Sequence, residues 1–517
     1  GEKKMSAQTS SKTIVDFCAL SGADNEDALC YILSIKEAGK EYNILLDCGW
    51  SEQFNREDQH IQELKKWAPK INIILLSHPS IHHVGAIPYL MKRYGCKATI
   101  YGTMPTIKLA KLQLLDTLQA IRREKLHFNY FGAKDVSDIF DNSVELQYSQ
   151  TVDIDPKDKP ISTDISIVSY PAGYSYGGSI WKIKYGVEDI VYAVDINNVK
   201  EKVSKNCDEA VLEKIKKPSL LITNSYNYNQ MNQFNRKLFT ELLLKSITTT
   251  LGRDGQILMP VDVGGRFLEI MSVLENFWRE KQLRYKLIFL FPQSEHIKEY
   301  IQSSQDWFSS ETTMKENSNI YFLQERNDLD DIKDEGGMLI VTASSSMDVG
   351  YGKDLFRLYV ADENNDIIVT DRGRKGSFMR HLLETQPQMV TMDTHLQVDL
   401  TEEEKKKVES ELKREHELRL EKEQRERVLN KSKMDDDQME DDASYLFLPP
   451  GQEAPSSVFL LYPYQEIDRR DPRDPDIPFG IQVDTQMMRD RRNQLYNHDD
   501  EMQDEQVEEE EEEEEEE

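Results

Sequence analysis

The sequence predicts an α/β protein with a layered first domain, a parallel Rossmann-like second domain, a charged helix and an acidic disordered tail. Short apolar runs such as INIILL and DIVYAVDI alternate with segments whose apolar residues recur at helical spacing. From about residue 206 the order becomes regularly strand then helix, which is typical of a parallel sheet with helical crossovers. After about residue 400, charged residues replace this periodicity.

The 517 residues leave room for two to four domains. The changes of pattern predict five divisions: a first α/β domain over 12–205, a second domain over 206–385, a return to the first domain over 386–400, a charged helix over 401–434, and an acidic low-complexity region over 435–517.

Charge and cysteine usage narrow the class of protein. The net charge of −30 comes largely from the acidic C-terminal region, which ends in ten glutamates. The five cysteines are scattered without a C-x-x-C pair, so we expect neither a disulfide framework nor a zinc ribbon. No apolar run approaches the 18 or more residues of a membrane span, and we expect a soluble intracellular protein without membrane contact.

One apolar segment interrupts the acidic region, SVFLLYPYQEIDRRDPRDPDIPFG at 457–480. Aromatic and aliphatic residues in such surroundings indicate either a docking peptide or a strand that returns to the core, and both readings stay open. The residues expected to dock a partner are Phe459, Leu461, Tyr462 and Tyr464.

Several apolar strands end in polar residues that can carry chemistry. LLDCGW contains Asp47, SHPSIHH contains His78, His82 and His83, and AVDINN contains Asp195. A glycine-rich turn, PAGYSYGG, adds Tyr174. Because α/β folds place functional residues in the loops after their strands, these segments predict one common site.

The order of these motifs resembles the metallo-β-lactamase superfamily and its nucleic-acid-processing β-CASP branch. LLDCGW, SHPSIHHVGAIPYL, PAGYSYGGSIWKI and VYAVDIN follow one another as in that superfamily, and the parallel block comes where the β-CASP insert belongs. The resemblance implies an αββα sandwich with an inserted Rossmann-like β-CASP domain. Together with KPSLLITNS and PVDVGGRFLEI, the motifs most resemble the subunit 2 family of the cleavage and polyadenylation specificity factor, the non-catalytic relatives of the pre-mRNA 3′-end endonuclease.

Active superfamily members bind two metal ions through an H-x-H-x-D-H run, a later histidine and a bridging aspartate. The positions that match this metal-ligand pattern are His78, Ser80, His82, His83, Tyr174 and Asp195. Asn224 matches the acidic residue with which the insert begins in active members, and Asp47 is expected to form a turn. Serine and tyrosine hydroxyls must deprotonate to bind a metal well. We therefore expect a degenerate site with no catalytic residue, no metal and no cofactor.

Two alternatives to an empty, hydrogen-bonded site stay open. One structural zinc could be held by His78, His82, His83 and Asp195. A metal-dependent RNA phosphodiesterase with an atypical ligand set, using His82 in place of the usual aspartate, is the alternative function.

The resemblance implies a non-catalytic scaffold subunit of the nuclear pre-mRNA cleavage and polyadenylation complex. Its implied partners are the endonuclease subunit, a symplekin-like scaffold, the polyadenylation-signal recognition module and pre-mRNA itself. The one compact basic run, DRGRKGSFMRH, offers RNA contact through Arg372, Arg374, Lys375 and Arg380, although an exposed loop explains the same residues.

Overall fold

The computed structural model describes residues 14–392 except 24–25, 27, 126–127, 155–160, 162, 226–235, 309–318, 333–335, 388 and 391, and it also describes 406, 410 and 414. All strands and all the helices named below lie in one compact unit, Gly1–Val398.

The first sheet contains six strands in sequence order: β1 (Ile14–Ser21), β2 (Cys30–Glu37), β3 (Lys40–Cys48), β4 (Ile71–Leu75), β5 (Thr99–Thr103) and β6 (Val144–Leu146). The pairings β1–β2 and β2–β3 are antiparallel, and those from β3 to β6 are parallel. Parallel neighbours need crossover connections, which are supplied by helices. These helices are α1 (Gln59–Trp67), α2 (Ile81–Val84), α3 (Ile87–Tyr94), α4 (Met104–Glu124) and α5 (Ala133–Asp141).

The second sheet has five strands in the order β11-β10-β9-β8-β7. They are β7 (Thr151–Asp153), β8 (Ile165–Pro171), β9 (Ser179–Tyr185), β10 (Glu188–Ala193) and β11 (Leu220–Thr223). Helix α6 (Glu209–Lys214) connects the parallel pair β10 and β11.

The two sheets pack face to face around one apolar core. Ile44 and Leu46 of the first sheet meet Trp181 and Tyr192 of the second, and all four side chains are fully buried. The outer face of the first sheet is covered by α1, α3, α4 and α5, while α6 covers part of the second. Helix, sheet, sheet, helix is the predicted αββα sandwich, and the fold prediction is confirmed.

The third sheet is wholly parallel in its described pairings, in the order β14-β13-β15-β12-β16. Its strands are β12 (Ile257–Pro260), β13 (Lys286–Leu290), β14 (Ile320–Leu323), β15 (Met338–Thr342) and β16 (Asp366–Ile367). The accompanying helices are α7 (Arg236–Leu251), α8 (Phe267–Lys281), α9 (Ser294–Ser303), α10 (Asp328–Ile332), α11 (Tyr351–Tyr359) and α12 (Phe378–Thr385). Separate apolar clusters cover its two faces, as expected for a Rossmann-like domain.

One strand lies in a different domain from the one that the sequence indicated. The run LLITNS was expected to open the second domain at 206–385, but β11 pairs with β10 in the sandwich, where Ile190 faces Leu220. The assignment of this strand was wrong because an apolar strand followed by a helix has the same pattern at the end of one sheet as at the start of another.

The other predicted divisions lie partly or wholly outside the described residues. The return segment 386–400 is described only at 386–387, 389–390 and 392. Within 401–434, residues 406, 410 and 414 are described and are helical. The region 435–517, with the docking segment 457–480, is outside the described residues. Among the helices that are described, none combines the length and the apolar character needed to cross a membrane.

The second domain packs closely on the loop that follows β4. A Cβ atom on Gly264 would lie 2.6 Å from the main-chain oxygen of Pro79, so only glycine allows this approach. The main-chain N–H of Gly264 also donates to Oε1 of Gln113, at 2.8 Å. Gly264 is therefore a point where the second domain contacts the loop after β4 of the first.

Candidate functional site at the strand ends

The predicted site residues follow strands of both sandwich sheets. Asp47 lies at the end of β3, while Ser77 and His78 follow β4 and lead into the short helix α2. Asp195 and Asn224 follow β10 and β11 in the second sheet. The two sheets thus bring side chains that are more than a hundred residues apart to one edge of the sandwich.

Asp47 is a fully buried acceptor that joins the two sheets. Its carboxylate accepts hydrogen bonds from the main-chain N–H of Ser77 at 2.7 Å, from the Ser77 hydroxyl, and from the Tyr192 hydroxyl at 2.6 Å. Burial raises the pKa of this carboxyl group above its ordinary value. Asp47 was expected to form a turn; it has a positive φ of 55° and in addition anchors the site.

His78 is 1% exposed, and Nδ1 of its ring lies 3.0 Å from the Ser77 hydroxyl. Nε2 has no hydrogen-bond partner. Burial, with a smaller contribution from His83, lowers the pKa of His78 to about 3. The imidazole is therefore neutral near pH 7 and presents a lone pair rather than a positive charge.

His83 links the loop after β4 to the end of β10. Its Nδ1 lies 2.7 Å from the Ser80 hydroxyl, and its Nε2 lies 3.3 Å from Oδ2 of Asp195. Burial alone would raise the pKa of Asp195, but the hydrogen bond and charge of His83 hold it well below its usual range. Asp195 is therefore an ionised acceptor.

Asn224 holds the other side of Asp195. Its Nδ2 donates to Oδ1 of Asp195 at 2.8 Å, and its Oδ1 accepts the main-chain N–H of Asp195 at 3.1 Å. The neutral amide of Asn224 thus fixes the orientation of the carboxylate.

Only some of the predicted site residues bring their ligand atoms close together. Within the described residues, the side chains whose ligand atoms lie within 4.8 Å of one another are those of His78, His83 and Asp195. His82 is not in this group; its pKa is lowered by burial and by the charge of Arg374. The Tyr174 ring centroid is 6.2 Å from that of His78.

A cavity of about 630 Å³ opens beside these residues and is lined by residues of both domains. Its lining includes acidic residues that were not among the predicted site residues: Glu52, Asp58, Asp262, Asp348 and Asp371. In the run MPVD, Asp262 follows an apolar strand just as Asp195 does in AVDINN, so the sequence could have indicated it. No pattern in the sequence indicated Glu52.

Two of these carboxyl groups bind serines of the loop after β15. The Ser346 hydroxyl donates to Glu52, and Ser345 donates its main-chain N–H to Asp262 at 3.0 Å. Burial, and then the charge of Asp262, raise the pKa of Glu52 to about 8. Glu52 belongs to the first domain and Ser346 to the second, so their bond connects the two domains at the cavity. The bond between Ser345 and Asp262 lies within the second domain.

Two of the predicted RNA-contact residues, Arg374 and Lys375, line the same cavity, and the three predicted arginines contact Glu26. Guanidinium nitrogens of Arg372 and Arg380 lie 3.5 and 3.7 Å from its carboxylate, and Arg374 donates to its main-chain oxygen at 3.3 Å. Lys375 is exposed and lines the cavity. The basic run is thus partly neutralised from within the chain.

Two family models match this chain. The metallo-β-lactamase superfamily domain covers residues 35–222, and the β-CASP domain covers residues 267–382. The chain therefore contains a metallo-β-lactamase superfamily domain followed by a β-CASP domain. The first match includes β11, in agreement with the position of that strand in the sandwich.

Curated relatives of this β-CASP chain bear the name of the resembled subunit. It is 35% identical over 407 residues to the probable cleavage and polyadenylation specificity factor subunit 2 of Drosophila melanogaster, covering 75% of this chain and 51% of that protein. It is 32% identical over 415 residues to subunit 2 of Oryza sativa subsp. japonica, covering 78% and 54%. It is 28% identical over 319 residues to cleavage factor two protein 2 of Schizosaccharomyces pombe, covering 59% and 39%. The resemblance is confirmed, and the chain spans about half the length of the first two relatives and 39% of the third.

The metal pair that the superfamily implies does not fit the residues present. A pair needs two sets of converging donors, and the described residues supply one set of three. The Ser80 hydroxyl, at one ligand position, is engaged by His83, and the Tyr174 phenol replaces the later histidine. The β-CASP chain therefore keeps the framework of the site without the donors for two ions.

We predict that replacing Glu52 by Gln stabilises the protein at high pH. The pKa of Glu52 is raised by folding, so stability falls as pH rises from about 4.5, the usual glutamate value, to about 8. Glutamine carries no proton to lose and keeps a hydrogen-bonding group beside Ser346. The melting temperature of Glu52→Gln should therefore exceed that of the wild type at pH 8.5 and approach it at pH 5.

The matched control is Glu57→Gln, five residues away on the exposed surface. It should follow the wild-type melting temperature at both pH values. If Glu52→Gln showed the same offset at pH 5 as at pH 8.5, ionisation of Glu52 would not be the cause.

Proposed function

We propose that this β-CASP chain is a non-catalytic subunit of the pre-mRNA cleavage and polyadenylation complex, acting in the nucleus beside an active endonuclease subunit. The observation that carries the proposal is the single convergent group His78, His83 and Asp195 where a phosphodiesterase of this fold needs donors for two ions. The names of the relatives support the process, mRNA 3′-end processing.

The chemistry of the remaining contacts supports a structural role for the site. Hydrolysis by a metal pair requires bridged ions a few ångströms apart that activate a water molecule. Here Asn224 and His83 contact the carboxylate of Asp195, the residue that would bridge the two ions, and the Ser80 hydroxyl contacts His83. A site in which each residue is engaged by its neighbour holds strand ends together without offering a nucleophile.

The proposed partners are an endonuclease subunit, a symplekin-like scaffold and the module that recognises the polyadenylation signal. The fold provides two domains in one unit, with the bond between Ser346 and Glu52 across their boundary. A two-domain body of this kind suits a scaffold that positions an enzyme beside it.

The alternative, an RNA phosphodiesterase with an atypical ligand set, would use His82 as a ligand. The ligand atoms of His82 are not within the convergent group, and its main-chain oxygen accepts the N–H of Leu29 at 2.9 Å. These contacts favour the non-catalytic proposal.

We expect no RNA cleavage by the purified chain in the presence of Zn²⁺, Mn²⁺ or Mg²⁺. A labelled RNA that contains a polyadenylation signal is the substrate, and Asp195→Asn is the matched variant because it removes the bridging carboxylate while keeping side-chain size. Cleavage that is absent, or equal in wild type and variant, agrees with the proposal. Cleavage by the wild type that Asp195→Asn abolishes would establish the phosphodiesterase instead.

RNA contact at the basic run is a separate part of the proposal, and we assign it to Lys375. Glu26 engages the three arginines, which leaves the exposed ammonium group of Lys375 at the cavity rim. One phosphate contact contributes about one unit to the slope of log affinity against log salt concentration. Lys375→Ala should reduce that slope by about one.

Fluorescence anisotropy with a labelled RNA at several salt concentrations measures the slope. Lys65→Ala, an exposed lysine of helix α1, is the control and should leave it unchanged. Equal slopes for the wild type and Lys375→Ala would show that Lys375 does not contact the RNA.

A further inference from the structure

We propose that Lys205, Lys214 and Ser149 form a binding site for the backbone phosphates of single-stranded RNA. None of these three residues lines the cavity, so the site is a second surface, separate from the one that contains Lys375. The inference rests on the proposed function, which supplies RNA as the anionic partner, and it identifies where on the chain that RNA is held.

The ammonium group of Lys205 is held by aromatic rings from both domains. Its Nζ lies 5.9 Å from the ring centroid of Tyr148, which follows β6, and 5.6 Å from that of Trp307 in the second domain. The two rings pack edge to face, with their centroids 5.2 Å apart. A cation within about 6 Å of a ring centroid is attracted by the negative face of the ring. The two rings therefore fix the position of this ammonium group.

Lys214, at the end of α6, is placed beside the same turn of the chain. Its Nζ lies 5.4 Å from the ring centroid of Tyr170 in β8 and 3.4 Å from the hydroxyl oxygen of Ser149. Ser149 directly follows Tyr148, so the contacts of the two lysines meet at neighbouring residues. The main-chain N–H of Ser149 donates to the main-chain oxygen of Ser169 at 2.8 Å, which ties this turn to the second sheet.

Both ammonium groups keep their full charge, because a ring positions a cation without cancelling its charge as a carboxylate does. Lys205 and Lys214 are exposed, and in the part of the chain that the structure describes neither has an ion-pair partner. The nearest acidic residues along the chain are engaged elsewhere, since Asp208 caps the start of α6 and Glu213 pairs with Lys216. The arginines near the cavity differ, because they contact a glutamate.

Further lysines extend the positive surface along the outer face of the second sheet. Lys182 and Lys184 alternate with buried residues of β9, so both side chains point away from the core. Nζ of Lys182 donates to the main-chain oxygen of Lys214 at 3.1 Å, and its charge is matched by Asp189 at 2.8 Å. Lys184 and Lys217 are exposed and add positive charge on either side of Lys182 and Lys214 in the chain.

Two ammonium groups and a hydroxyl form a donor set that suits a phosphate. Lysine binds phosphates as a point charge, and serine hydroxyls commonly donate to backbone oxygens of nucleic acids. Proteins that hold single strands without sequence preference use positive surfaces that follow the backbone. Because the lysines lie over the half-buried rings of Tyr148 and Tyr170, we expect contact with phosphates rather than stacking of bases. Binding at this surface should therefore not depend on base sequence.

The test is the affinity of the purified full chain for a fluorescein-labelled oligouridylate, measured by anisotropy at several salt concentrations. The double variant Lys205→Ala/Lys214→Ala should reduce the slope of log affinity against log salt concentration by about two, one for each phosphate contact. Lys205→Arg/Lys214→Arg keeps both charges and should keep the slope. An oligoadenylate should show the same losses as the oligouridylate.

The matched control is Lys97→Ala. Lys97 is exposed and precedes β5, whereas Ser149 follows β6, which is parallel to β5, so the two positions lie at opposite edges of the first sheet. Lys97→Ala should keep the wild-type slope. A loss in Lys97→Ala equal to the loss per lysine in the double variant would show that only net charge matters, and would overturn the inference.

Circular dichroism verifies that the double variant is folded, and an unchanged slope in that folded variant would also overturn the inference. A labelled oligoglutamate peptide tests for an acidic protein ligand instead. If the double variant lost the peptide but bound RNA like the wild type, the surface would be a protein-binding one and the inference would be wrong. RNA cleavage is measured independently of these slopes, so failure of this inference leaves the non-catalytic proposal standing, and cleavage by the wild type would leave the slopes unchanged.

Discussion

The buried carboxylate of Asp47 is the contact on which the site depends. It accepts hydrogen bonds from Ser77 after β4 and from Tyr192 in β10, so one side chain joins strands of both sandwich sheets. A charge buried at this depth needs several donors to offset its desolvation. Because Ser77 in turn accepts from His78, the same network that satisfies Asp47 orients the imidazole toward Asp195.

The second domain reinforces this arrangement from the opposite side. Gly264 approaches the main chain beside Ser80, and Ser346 donates to Glu52 across the cavity. Residues of both domains therefore surround the site, although none of the three convergent residues belongs to the second.

The sandwich and the parallel sheet could be predicted because their motifs occur in order along the chain. The polar strand ends Asp47, His78 and Asp195 could be predicted to meet for the same reason. Which histidines meet Asp195 closely could not be predicted, because SHPSIHH does not reveal that His83 joins the group of His78 and Asp195 whereas His82 does not. The pairing of Glu26 with Arg372 joins residues 346 positions apart and leaves no local signal.

We propose that this chain uses the framework of a hydrolase for assembly in mRNA 3′-end processing. Affinity purification of the tagged full chain from nuclear extract, followed by quantitative mass spectrometry, tests it most directly. The account predicts recovery of an endonuclease subunit and scaffold proteins of the cleavage and polyadenylation complex in amounts comparable to the chain itself. Recovery of the chain without any of these proteins, at bait levels that exceed an untagged control, would contradict it.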